Sequence, residues 1–126
     1  LDGELNEPIW SQLDVQTDFV DYMPNNGSKA SKQTQIRVFH NGKKLYISAV
    51  YQDTTSNVQI GSLKRDDIGR SGANSDSFAM IIDTYNQQQA GYFFIVNMGG
   101  ALIDALVSRM GDGYSVSRSW NTIWRL

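Results

Sequence analysis

The sequence predicts an all-β protein, an antiparallel β-sandwich of jelly-roll type, and three observations carry that prediction. Ser75 to Gly99 (SDSFAMIIDTYNQQQAGYFFIVNMG) holds two dense apolar runs, Phe78 to Ile82 and Tyr92 to Val96, joined by a polar connector. Short runs rich in β-branched and aromatic residues and bounded by turn formers are what buried strands look like. Gln33–His40 and Lys44–Gln52 flank Asn41-Gly42, a strong short-range hairpin signal. Finally, turn residues punctuate the chain at regular intervals, and no stretch has the 3.6-residue apolar period of an amphipathic helix.

Taken in order, Asp2-Gly3 is a turn former and Pro8 fixes a bend before Ile9 and Trp10. An indole this close to a turn is expected to plug one end of the core. Val15 to Tyr22 alternates imperfectly and reads as a strand with one wetter face. Pro24 to Lys32 (PNNGSKASK) is a loop. In the hairpin, Ile36, Val38 and His40 alternate with Gln35 and Arg37, and the return strand is the more apolar of the two. Val58 to Leu63 reads as a further short strand, followed by the charged group Lys64–Asp67 and a loop over Gly69–Ser75. After the central pair come a strand at Ala101–Val107, a turn at Gly111-Asp112-Gly113, and a last extended segment from Tyr114 to Trp124. The expected total is about eight strands in one domain over residues 1–126.

Composition narrows the function. The net charge of −2 argues against electrostatic capture of nucleic acid. With no cysteine and a single histidine, His40, thiolate metal sites, disulfides and histidine-based triads are excluded. His40 is expected at a strand end on the surface. No apolar run approaches the ~20 residues of a membrane-spanning helix.

Carboxylates offer little for catalysis. Asp76 and Asp83 flank one strand and are expected roughly 23 Å apart, on opposite faces, too far for an acid/base pair at ~5–10 Å. Asp83 is expected to cap its own turn, with a calcium-ligand role as the alternative. Asp66 and Asp67 meet Asp76 only if the intervening loop folds back. Arg65 and Arg70 are expected to form a solvated ion-pair cluster with these carboxylates.

The aromatic residues are more suggestive. Trp120 and Trp124 lie with Arg118 and Asn121 in a polar segment, and four residues apart on a strand they share a face. Flat aromatic faces under C–H surfaces, with amides and guanidinium groups reading hydroxyls, are how proteins hold sugars. The alternative is that both tryptophans belong to the core or to a docking surface.

Several segments resemble family 9 carbohydrate-binding modules and their relatives. LDGELNEPIW resembles their "I-D-G-x-L-D-E-x-x-W" opening. KLYISAVYQD, SDSFAMIIDTYN and YFFIVNMGG are similar to three of their strand motifs, in family order along nearly the whole chain. LKRDD, DTYN and SWNTIW resemble the N-terminal domain of large bacterial proteins that continue into an outer-membrane β-barrel. The resemblance implies an antiparallel β-sandwich, noncatalytic sugar binding and structural calcium. It places Tyr92, Asn97, Arg118, Trp120 and Trp124 as the candidate carbohydrate-binding residues. The chain departs from the sugar-binding members at three places: Gly72-Ala73-Asn74 stands where they have a Trp, Ala79 where they have a Glu, and Ile95 where they have an Arg. Family members continue for a few strands beyond this segment, which implies an unpaired sheet edge near Leu126 and pairing with a second copy through it.

The leading expectation is therefore a noncatalytic carbohydrate-binding domain of an exported bacterial protein in the periplasm, outer membrane or cell surface. Its expected partners are an oligo- or polysaccharide and the remainder of a larger exported protein. A structural or interaction domain of an outer-membrane protein is the second reading. A small hydrolase using Asp66, Asp67 and Asp76 is the third.

Overall fold

The computed structural model describes residues 3–53, 57–67 and 74–126. The fold class is the expected one: among these residues the chain is all-β, with six strands in two antiparallel sheets and one five-residue helix. Its contacts divide it into two compact units, Leu1–Ser56 and Asn57–Leu126. The Gly69–Ala73 part of the expected loop and Arg70 lie outside the described residues, as do Leu1 and Asp2 of the opening turn.

In the first unit Pro8 does not bend the chain but opens a short helix, α1 (Pro8–Gln12). Proline suits the first helical turn because its φ is already helical and the missing N–H would have no partner there. Trp10 is 7% exposed, as befits an anchor. The strand expected over Val15–Tyr22 does not form. Asp18 has φ +59°, which interrupts an extended run, and only two isolated bridges remain, Gln16 with Ile36 and Val20 with Lys29. Two strands do form here, β1 (Thr34–His40) and β2 (Leu45–Tyr51), paired antiparallel from Thr34–Tyr51 to His40–Leu45. The Asn41-Gly42 signal becomes a four-residue connection. Asn41 accepts the backbone N–H of Lys43 and Lys44 on its side-chain oxygen at 3.1 and 2.9 Å, and Gly42 supplies φ +84°. Exposed His40 closes the strand, as expected.

The second unit is a four-stranded sheet in the order β3-β4-β5-β6. Its strands are β3 (Ser77–Ile82), β4 (Ala90–Asn97), β5 (Leu102–Met110) and β6 (Gly113–Ser117). The two apolar runs pair as expected, Phe78 with Val96 through Ile82 with Tyr92. They are not both interior, however. β3 has one named neighbour, and its Ile81 is 58% exposed, whereas β4 and β5 occupy the middle. The deepest residues belong to β5: Ile103, Asp104 and Ala105 are 1%, 2% and 0% exposed. Val58–Leu63, expected as a strand, has no strand pairing. Its backbone is held instead by Asp76 and Ser75 side chains, which accept from Gln59 and Gly61. The last extended segment is also shorter than expected. β6 ends at Ser117, a turn follows, and Trp120–Leu126 is irregular.

The pleat sorts the sheet into two faces. Opposite residues in an antiparallel ladder point the same way, so the register puts Tyr92, Phe94, Leu102, Asp104 and Leu106 on one face. Ile95, Ile103, Ala105 and Val107 share the other, with Gly91 opposite Val107. A Cβ at Gly91 would sit 2.7 Å from Ile81 Cγ2 and 3.1 Å from the Ile82 carbonyl oxygen, so the close approach of β3 requires glycine there.

Candidate functional site

Three of the five sugar-site candidates come together on the Phe94 face. Trp120 packs on Tyr92 with ring centroids 4.8 Å apart and planes at 42°. The Phe94 ring meets Trp120 at 6.0 Å and Trp124 at 5.2 Å, both nearly edge-on. The two tryptophans converge although their segment is not a strand, so even spacing is not the cause. Edge-to-face packing on one phenylalanine places them, a geometry that aromatic quadrupoles favour. All four rings are half-buried. Around Trp120 the chain is polar and exposed: Arg118 and Asn121 face solvent, and the hydroxyls of Ser117 and Ser119 pair at 2.9 Å.

Asn97 has a different position. It is 3% exposed, and its side-chain oxygen accepts the backbone N–H of Gly99 and Ala101 at 3.1 and 2.9 Å. Its amide nitrogen donates to the Ser62 carbonyl at 2.6 Å. The side chain closes the β4–β5 turn and ties the Val58–Leu63 segment to it.

Asp104 is a residue that sequence reasoning missed. It lies directly opposite Phe94 in the ladder, and its side chain is fully buried. Both oxygens are engaged: Oδ2 accepts Thr122 N–H at 2.7 Å, and Oδ1 accepts the Arg65 guanidinium and Trp124 Nε1, the latter at 3.3 Å. The same Arg65 nitrogen donates to Asn121 Oδ1 at 2.9 Å. The solvated cluster expected for Arg65 is therefore only a side contact, with Asp66 at 3.5 Å, and its main partner is a buried carboxylate 39 residues away. A signal was present, since Asp104 is the one charge in the apolar run Ala101–Val107, and a buried charge requires a partner.

Three other carboxylates are engaged separately, while Asp66 keeps one buried oxygen without a hydrogen bond. Asp76 accepts Gln59 N–H at 3.0 Å, and Asp67 accepts the Ser62 hydroxyl at 3.1 Å. Asp83 caps its turn as expected, accepting the backbone N–H of Gln88 at 2.7 Å and Tyr85 at 3.1 Å. These bonds, that of Gln88 first, hold its carboxyl below the ordinary aspartate value against a smaller opposing effect of burial. A carboxylate with a lowered folded-state pKa adds stability that is present above its unfolded pKa of about 3.9 and is lost as pH falls through the folded value. Asp83→Asn is therefore expected to lie below the wild type in melting temperature at neutral pH and to converge with it on the acid side of pH 4, so that its fall with acid is flatter. Thermal unfolding of the two proteins across that range checks it.

Among the described residues no three of His, Cys, Asp and Glu gather as a metal site would need, and no helix is long and apolar enough to cross a membrane. Comparison of the chain with protein-family models, with curated proteins and with solved structures finds no match in any of the three.

Proposed function

We propose that the Asn57–Leu126 unit is a noncatalytic carbohydrate-binding domain of an exported bacterial protein, active in the periplasm, the outer membrane or at the cell surface. The observation that supports this reading best is the half-buried Trp120 braced on Tyr92 amid exposed polar side chains. A braced indole holds its face without further loss of side-chain freedom on binding, and adjacent guanidinium and hydroxyl groups suit sugar hydroxyls. Arg118 is the polar reader in this proposal. Asn97 and Trp124 are not readers in this proposal, since their polar groups already serve the fold. Titration with gluco-, xylo- and chito-oligosaccharides, followed by tryptophan fluorescence, tests it. A saturable change is expected, weakened about tenfold or more in Arg118→Ala, because a hydrogen bond from a charged group contributes about 1.5–3 kcal/mol. Silence across the three sugar classes overturns it.

The second reading is a structural or interaction domain within a larger exported protein, without sugar affinity. The binding of Trp124, Asn121 and Thr122 into the Asp104 network favours it, because that network gives the segment a purely structural reason to be polar.

A further inference from the structure

We propose that Asn41 is a self-modification site: in the folded chain its side chain closes on the Gly42 nitrogen to a succinimide and becomes isoaspartate or aspartate, while the fold holds Asn26, also followed by glycine, back from the same reaction. The inference stands apart from the sugar proposal, which concerns the other unit. The chain has two Asn-Gly pairs, Asn26-Gly27 and Asn41-Gly42, and all four residues are exposed. Both glycines have positive φ, +83° and +84°, and a Cβ on either would meet nothing within 4 Å. Exposure and glycine conformation are thus matched, and hydrogen bonding is what separates the pairs.

Gly27 donates its N–H to the Asp21 carbonyl at 2.9 Å, so the nitrogen that would attack Asn26 is committed to the fold. The Gly42 N–H has no hydrogen-bond partner among the described residues. On the electrophile's side, Asn41 Oδ1 accepts the N–H groups of Lys43 and Lys44 at 3.1 and 2.9 Å. The first of these bonds closes an Asx turn, which curls the Asn41 side chain back toward the peptide that follows it. Both donors draw electron density from Cγ and stand where the oxygen becomes an oxyanion, the arrangement that stabilises tetrahedral intermediates of acyl transfer. The step balances with water as the one co-reactant. The Gly42 nitrogen loses its proton to solvent and bonds to Asn41 Cγ, and the side-chain nitrogen leaves as ammonia. Water then opens one of the two ring C–N bonds, giving aspartate or an isoaspartate whose backbone runs through the former side chain. Either product puts a carboxylate next to Lys43 and Lys44 in the β1–β2 connection.

Incubation of the full chain in mildly alkaline buffer, native and in parallel in urea, tests the site. Peptide mass spectrometry that resolves asparagine, aspartate and isoaspartate gives a rate for each pair in each state, so every pair is compared with its own unfolded reference. Folding is expected to slow Asn26 by up to about tenfold, because the Gly27 hydrogen bond must break before attack. Asn41 is expected to react in the native chain at least as fast as in urea, with isoaspartate among its products. A native rate for Asn41 below its urea rate, or equal slowing of Asn41 and Asn26 by folding, overturns the proposal.

Discussion

Replacing Arg65 by methionine is expected to destabilise the Asn57–Leu126 unit by about 3–5 kcal/mol, the cost of stranding a buried charge. The asymmetry of the pair is the reason. The Asp104 side chain is fully buried while that of Arg65 is 40% exposed. Without Arg65 the carboxylate keeps two N–H donors, from Thr122 and Trp124, but no countercharge. Asp104→Asn is the milder change, at about 1–3 kcal/mol, because Arg65 can then turn to solvent and the amide oxygen still accepts one bond. Arg65→Met combined with Asp104→Leu is expected to recover part of the loss, since removing both charges also removes their desolvation. Urea unfolding of the three variants beside the wild type measures this, and a loss below about 0.5 kcal/mol for Arg65→Met would show that the ion pair does not hold the segment.

The sequence was legible where one local rule acted alone. The β1–β2 hairpin, the β3–β4 pairing, β5 and the Gly111–Gly113 turn follow from alternation and turn chemistry, and they formed where those rules put them. Strand reading failed where apolar residues alternate without burial. Val20 and Tyr22 are 60% and 80% exposed, and Val58 and Leu63 are 54% and 70% exposed. Alternation is evidence of a strand only if one face is covered, and the sequence does not say which runs find cover. The interior position expected for β3 failed for a related reason. Its composition resembles that of β4, but neighbour order is a property of the topology, and β5 supplied the second central strand.

The candidate site was legible in its residues and illegible in its mechanics. Trp120, Tyr92 and Trp124 do meet, but through Phe94, which no spacing argument names. What carries the irregular Ser119–Trp124 stretch onto the sheet is a long-range pair, Arg65 with Asp104, and separations of that kind leave no periodic trace. The same pair explains why Asn121 is polar: its side-chain oxygen accepts a hydrogen bond from the Arg65 guanidinium. A polar residue that looked like a sugar reader thus has a structural occupation, which separates it from Arg118.

Trp124→Ala is expected to cost about 3 kcal/mol, at the lower end for removal of a packed tryptophan because the ring is only half-buried. Two contributions make up that loss, and Trp124→Phe divides them. Phenylalanine keeps an edge-on ring against Phe94, an arrangement that contributes about 0.5–1.5 kcal/mol beyond its buried area, and gives up only the Nε1 bond to Asp104. Its cost is accordingly expected near 1 kcal/mol. Because Trp124 and Arg65 both act through Asp104, Trp124→Phe and Arg65→Met are expected to be non-additive, whereas Trp124→Phe and Asp83→Asn, which share no partner, are expected to add. The cycle also bears on binding. If Trp124 supports the platform rather than touching sugar, Trp124→Phe retains oligosaccharide affinity in the fluorescence titration while Arg118→Ala loses it. Loss of affinity in Trp124→Phe at wild-type stability would move Trp124 to the ligand side of the site and leave Trp120 as its support.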